Sequence, residues 1–117
     1  MIDSAHFLES QSLCKEICTL LDRDKAEQIV AIDVRGKSLF ADQMVIATGT
    51  SSRHIAAMAT RLATMLRKQR YKVRIDGLTQ ANWVLLDTDL VIVHLFRAEV
   101  REYYDLESMW QIEPESA

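Results

Sequence analysis

The chain reads as a single α+β domain built on a mixed five-stranded sheet, with helices packed mainly on one face. Three observations predict this. Two stretches, 5–23 and 52–69, place apolar residues at helical spacing. Five short runs rich in β-branched and aliphatic residues have the length of strands. The two kinds of segment alternate incompletely, in the order α-β-β-α-β-β-β-α, which points to a mixed sheet in a sandwich with helices.

The first helix is predicted from Ala5 to Arg23, where Leu13, Ile17, Leu20 and Leu21 make one apolar face. Gln28 to Val34 carries Ile29, Val30, Ile32 and Val34 and predicts the first strand; Gly36 marks the turn after it. Met44 to Thr48 is a second short apolar strand that Gly49 breaks. Thr50, Ser51 and Ser52 then supply N-cap chemistry for a helix ending near Gln69, with Ile55, Met58, Ala59, Leu62 and Leu66 on one face. Lys72 to Asp76 predicts a third strand, ended by Gly77. Trp83 to Asp87 and Leu90 to Phe96 predict strands four and five, close enough through Thr88 and Asp89 to form a hairpin. Tyr103, Leu106 and Trp110 stand at i, i+3 and i+7, so they are expected to share one face of a short final helix or pair of turns. The domain is placed at 1–112. The polar segment 113–117, with the single proline Pro114, is expected to fray.

Side chains alternate across a strand, and this sorts strands four and five into two sides. Val84 and Leu86, with Val91, Val93 and Leu95, form a purely aliphatic side suited to the core. Trp83, Leu85 and Asp87, with Ile92, His94 and Phe96, form a side that mixes aromatic with polar or ionisable groups. Such a mixture fits a protein interface, where aromatic anchors sit among polar contacts. The plainer expectation is that the final helix packs on Trp83 and Phe96. Partial cover with partial interface is the reading that uses both.

Composition bounds the function. At 117 residues, 49% hydrophobic and 26% charged, the chain is an ordinary globular domain. No apolar run nears the roughly 18 residues of a membrane span. The start, MIDSAHFLES, lacks both a secretory signal and the Arg-rich pattern of a transit peptide, which predicts a bacterial cytoplasmic protein. A net charge of −3 argues against a general nucleic-acid binder. Cys14 and Cys18 stand four apart on one helix face, a poor geometry for an unstrained disulfide, and read as free thiols.

Four features are candidates for chemistry. Gly49-Thr50-Ser51-Ser52-Arg53-His54 sits where a strand opens a helix, and its N–H groups, hydroxyls and Arg53 are a candidate anion site; helix capping is the commoner use of such serines. Asp87-x-Asp89 has the form of a Mg²⁺-binding pair, although two carboxylates in a hairpin connection are more often turn formers. Arg67, Lys68, Arg70, Lys72 and Arg74 surround Tyr71 in a basic stretch able to touch RNA phosphates, or to complement a helix C-terminus and protect an edge strand. His6, His54 and His94 are scattered, with no nucleophile–base pair among them.

The ordered segments matter more than any one of them. Val34-Arg35-Gly36-Lys37-Ser38, Ala41-Asp42 and Val45-Ile46-Ala47-Thr48-Gly49-Thr50-Ser51-Ser52-Arg53 are similar to the first half of the ribosomal silencing factor, or Iojap, family. Asp76-Gly77, Trp83-Val84-Leu85-Leu86-Asp87 and Val91-Ile92-Val93-His94-Leu95-Phe96 resemble its second half. Arg101-Glu102-Tyr103-Tyr104-Asp105-Leu106-Glu107, with Trp110, resembles its C-terminal signature. The resemblance spans roughly residues 25–110. It departs where Gln43-Met44 replaces an aromatic pair, where Asp76 replaces Glu, and where Asp89-Leu90 replaces Gly-Asp in the last hairpin.

The resemblance implies a nucleotidyltransferase-like fold without its catalytic machinery, since no acidic residue follows Ser51 until Asp76. It implies a binding protein, not an enzyme, with no cofactor and no metal. The implied partner is the large ribosomal subunit, through ribosomal protein L-fourteen on the face that meets the small subunit. Occupying that face blocks subunit joining and lowers translation when nutrients are short. Organelle relatives are linked to large-subunit assembly, which is the alternative role. A nucleotide-binding or nucleotidyltransferase-type enzyme using the Gly49 loop and Asp87-x-Asp89 is the rival from another class.

Mapped onto the mixed side, Trp83 is the expected anchor, and Leu85 and Phe96 extend the apolar centre. Asp76 and Asp87 are expected to pair with basic groups, and His94 to add a hydrogen bond. Tyr103 and Tyr104 border the site. Arg67, Lys68 and Arg70 are the expected peripheral contact to ribosomal RNA. The same face is a candidate homodimer surface in the free protein.

Overall fold

A computed structural model describes residues 4–36 and 41–111, with side chains described for 8–36 and 41–108. The side chains of His6 and Trp110, residues Lys37 and Ser38, and the tail 113–117 lie outside the described residues. Among the described residues nine elements follow in order: α1 (Ser4–Arg23), β1 (Glu27–Asp33), β2 (Gln43–Gly49), α2 (Ser52–Lys68), β3 (Arg74–Asp76), β4 (Trp83–Asp87), β5 (Val91–Arg97), α3 (Ala98–Tyr104) and α4 (Leu106–Gln111). The five strands form one sheet in the order β1-β2-β5-β4-β3. Only β2 and β5 run parallel; the other pairs are antiparallel, so the sheet is mixed as expected.

The aliphatic side of the hairpin is core. Val84, Leu86, Val91, Val93 and Leu95 are fully buried, beneath Ile55, Met58, Leu62 and Leu66 of α2 and Leu13, Ile17 and Leu21 of α1. The β2 side chains Val45 and Ala47 join them. Cys14 and Cys18, free thiols on α1, sit at the border of this cluster. A hydrogen bond to Cys18 and burial both push the Cys14 thiol up from its ordinary value.

Local chemistry ends α2 sharply. The Tyr71 N–H reaches the Leu66 carbonyl at 3.1 Å and the Arg70 N–H the Arg67 carbonyl at 2.9 Å, with Arg70 at φ 73°. This is the Schellman arrangement, with arginine where glycine is usual. That exit explains why the third strand starts at Arg74 and not at Lys72. The β3–β4 register runs from Arg74 opposite Asp87 to Asp76 opposite Leu85, and β4 ends at Asp87. Lys72 and Val73 therefore have no strand to pair with. The fifth strand likewise starts at Val91, because the Leu90 carbonyl accepts from the Asp42 and Gln43 N–H groups at the entry to β2.

The end of the chain departs from expectation. Asp105 takes a left-handed conformation at φ 46° and splits the final helix into α3 and α4. Tyr103 and Leu106 therefore share no face: Tyr103 is 81% exposed, and Leu106 packs on the second cluster. That cluster lies on the mixed side of the sheet and comprises Ile32, Val34, Met44, Ile46 and Phe96, with Val30, Trp83, Val100 and Leu106 against it.

Gly77 follows β3 at φ 86°, and a Cβ there would lie 2.2 Å from the Trp83 carbonyl oxygen. Backbone cannot yield as a flexible side chain does, and the conformation itself is strained for any L residue. Gly77→Ala is expected to destabilise the protein by about 2 kcal/mol or more, measured by urea unfolding. An Ala at Gly36, where nothing lies within 4 Å of the added Cβ, is the milder comparison.

Candidate protein-binding face

The mixed side of β3, β4 and β5 assembles most of the expected site. Asp76 faces Leu85, Leu85 faces His94, and Trp83 faces Phe96 across consecutive strand pairs. Cross-strand partners project to the same side, so the register alone groups these residues. Trp83, at the first position of β4, is half-buried. Its indole packs on Phe96 with ring centroids 4.7 Å apart and on Tyr104 at 4.9 Å. Tyr103 meets Tyr104 edge-on at 5.0 Å. The four rings form a column that rises from the core outward: Phe96 is fully buried, Trp83 half-buried, Tyr104 55% exposed and Tyr103 81% exposed.

Beside this column, Asp76, Gly77, Trp83 and Leu85 line a shallow cleft of about 290 Å³. Leu78, a large exposed hydrophobic residue, follows on the loop beyond Gly77. Asp76 is exposed and makes no salt bridge among the described residues.

His94 and Phe96 do not reach the surface, so neither contacts a partner directly in this arrangement. They lie under Trp83 and hold it. The Trp83 Nε1–H donates to His94 Nδ1 at 3.0 Å, which requires the neutral Nε2–H tautomer. The His94 and Phe96 rings stack, 7° from parallel at 5.8 Å. Burial pushes His94 down to about 4.

Asp87 is also not free for a basic partner. One oxygen accepts from Arg74 Nη2 at 2.6 Å and the other from the Asp89 N–H at 2.9 Å. The Arg74 guanidinium thus stands where a cation would sit between Asp87 and Asp89, and the pair is a turn former with its own counter-ion. Among the described residues no group of three or more His, Cys, Asp or Glu could hold a metal ion.

In the Gly49–His54 segment Thr50, Ser51, Ser52 and His54 bond within the protein, while Arg53 is exposed. The Thr50 N–H donates to His54 Nδ1 at 3.0 Å, and the His54 N–H donates to the capping Ser51 Oγ at 3.1 Å. The Ser52 hydroxyl donates to Asn82 Oδ1 at 3.1 Å. His54 Nε2 donates to the Asp24 carbonyl at 2.7 Å, tying α2 to the end of α1. The supposed catalytic halves are also far apart. Gly49 pairs with Arg97 and Asp87 with Ile92, five residues along β5, or roughly 17 Å at strand rise. Arg67, Lys68 and Arg70 are exposed at the C-terminal end of α2, in the layer on the opposite side of the sheet from Trp83.

Sequence reasoning missed Arg101. It is buried, and it donates from Nε and Nη2 to both oxygens of Glu107, and from Nη1 to the Gln28 carbonyl and the Thr48 hydroxyl. Arg101 and Glu107 both stand in the C-terminal signature, but a spacing of six residues across a helix break gives no sign that they pair.

The buried His94 makes stability depend on pH. In the unfolded chain the imidazole titrates near 6.5, against about 4 when folded, so the unfolded form takes up the proton first as pH falls. The contribution is complete above pH 6.5 and is lost between about 6.5 and 4, a loss of about 3 kcal/mol. Protonation also removes the acceptor of the Trp83 indole. In a Trp110→Phe background, Trp83 emission of the folded protein is expected to shift around pH 4, where the folded His94 takes up its proton, and in His94→Gln the shift disappears.

The chain is similar to known proteins over most of its length. The family model described as "Ribosomal silencing factor during starvation" matches residues 8–117. A ribosomal silencing factor of Zymomonas mobilis is 47% identical over 109 residues, covering 92% of this chain and 82% of the relative. A mouse protein named for mitochondrial assembly of the large ribosomal subunit is 32% identical over 100 residues, covering 82% of this chain and 44% of its own length. A crystal structure of a Chromobacterium violaceum protein superposes with a TM-score of 0.83 at 29% identity, covering 91% of this chain and 89% of the other. The chain belongs to the ribosomal silencing factor family.

Proposed function

We propose that the face built on Trp83 binds the large ribosomal subunit through ribosomal protein L-fourteen and sterically prevents the small subunit from joining, so that translation falls when nutrients are short. The aromatic column carries this reading. An indole held by a hydrogen bond and by rings on two sides presents apolar area with little rotamer freedom left to lose on binding. The cleft beside it and Leu85 extend the apolar centre, and Tyr103 and Tyr104 form its rim. Asp76 supplies a free carboxylate for a basic partner, while Asp87 is kept by Arg74. An interface of about 1,600 Å² takes roughly 800 Å² from each side, a modest share of this chain's 7098 Å².

Arg67, Lys68 and Arg70, on the far side of the sheet, are a separate peripheral contact to ribosomal RNA in this proposal. The same aromatic face serves a homodimer of the free protein, which then competes with the ribosome. The site of action is the bacterial cytoplasm. A second role, in large-subunit assembly, is favoured by the similarity to the mouse mitochondrial protein and uses the same contact.

The test is co-sedimentation with isolated large and small subunits, followed by addition of the missing subunit. The chain is expected to pellet with large subunits only and to lower the yield of joined ribosomes. Trp83→Ala is expected to weaken binding about 30-fold, corresponding to about 2 kcal/mol for an aromatic hot spot, with the fold retained by circular dichroism. Pelleting with neither subunit at physiological salt refutes the reading. Neutralising Arg67, Lys68 and Arg70 is expected to flatten the salt dependence of binding; a dependence left unchanged removes the RNA contact.

A further inference from the structure

Among the described residues, Arg101 is the one buried side chain that carries a permanent charge. Burial of a guanidinium is costly unless its donors are met, and here four hydrogen bonds of 2.8–3.0 Å engage Nε and both Nη atoms. Those bonds join three parts of the fold. Glu107 belongs to α4, Thr48 to β2, and Gln28 to an irregularity in β1. At that irregularity Gln28 takes φ 49° and the register with β2 shifts, so its carbonyl turns to Arg101.

Among the described residues, little else holds the helices so joined in place. α3 has seven residues and α4 six, both below the length at which a helix persists alone. Among the described residues they add Val100 and Leu106 to the second cluster, both half-buried. None of the described side chains of either helix belongs to the main core on the other side of the sheet. Yet α3 carries Tyr103 and Tyr104, and Tyr104 lies against Trp83 three residues after Arg101.

We infer that Arg101 is a positioning residue for the binding face: its bonds to Glu107, Thr48 and Gln28 set where α3 lies on the sheet, and so set Tyr104 against Trp83. The inference rests on the aromatic face being the ribosome contact, and it assigns Arg101 no contact with the partner. Lysine does not substitute, because an ammonium on an unbranched stem cannot span a bidentate carboxylate and two further acceptors together. Loss of the clamp frees the tyrosines while α1, α2 and the sheet keep their packing.

The experiment compares Arg101→Lys, Glu107→Gln and the core control Leu62→Val, each in a Trp110→Phe background, well below their melting temperatures. Two readouts are taken: binding to isolated large subunits, and the Trp83–Tyr104 ring contact by NMR. Arg101→Lys is expected to weaken binding tenfold or more and to abolish the ring contact; Glu107→Gln, which keeps an acceptor but loses the charge, lies between it and the parent. Leu62→Val lowers the melting temperature and changes neither readout. Parent-like binding and an intact ring contact in folded Arg101→Lys overturn the inference, as does an equal loss of affinity in Leu62→Val. Should Arg101→Lys fail to fold, Glu107→Gln decides alone by the same two readouts. Failure of the unsubstituted chain to bind large subunits refutes the ribosome contact instead, and the ring contact still decides whether Arg101 positions Tyr104.

Discussion

Seven residue pairs join β2 to β5 in parallel, from Gln43 opposite Val91 to Gly49 opposite Arg97, and every other element takes its place from that pairing. The two strands are not consecutive in sequence, so α2, β3 and β4 must be laid down between them. Pairing in this register puts Val45, Ala47, Val91, Val93 and Leu95 on one side, where α1 and α2 close the main core. It puts Met44, Ile46 and Phe96 on the other, where the smaller cluster forms. A slip of one residue would exchange the two sides and bury His94 and Ile92 under the long helices.

The two sides do different work for the same reason. α1 and α2 run 20 and 17 residues and fully bury the aliphatic residues of β2, β4 and β5 on their side. On the other side α3 and α4 are short and are fastened by Arg101. They bury Phe96 and half-bury Trp83, leaving Leu85, Asp76 and the tyrosines open. A face that is partly covered offers aromatic surface already held in place, which suits recognition of a preformed partner. The half-buried indole also links the face to pH, because its hydrogen bond needs a neutral His94.

The same geometry engages the two features that suggested an enzyme in contacts within the protein. The loop after β2 uses its own N–H groups and hydroxyls on His54, Ser51 and Asn82. The carboxylate pair in the hairpin is bridged by Arg74 and stands at the opposite end of β5. The two features lie at opposite ends of β5, too far apart for one small ligand to use both.

Much of this was legible before any coordinates. Periodicity located both long helices and all five strands, because helical and extended spacings differ too much to be confused over such lengths. Alternation in Trp83–Asp87 and Val91–Phe96 separated core from open side, since the pleat leaves no freedom in which way a side chain projects. The ordered motifs identified the family. What only the tertiary structure decided was how far each residue on the open side reaches solvent. Phe96 and His94 lie beneath Trp83 because α3 and α4 return over the sheet, and Asp87 is taken by Arg74 because β3 pairs in one register. Arg101 gains its role through acceptors 53 and 73 residues away in sequence. Contacts at such separations depend on where the strands meet, and local sequence carries no record of that.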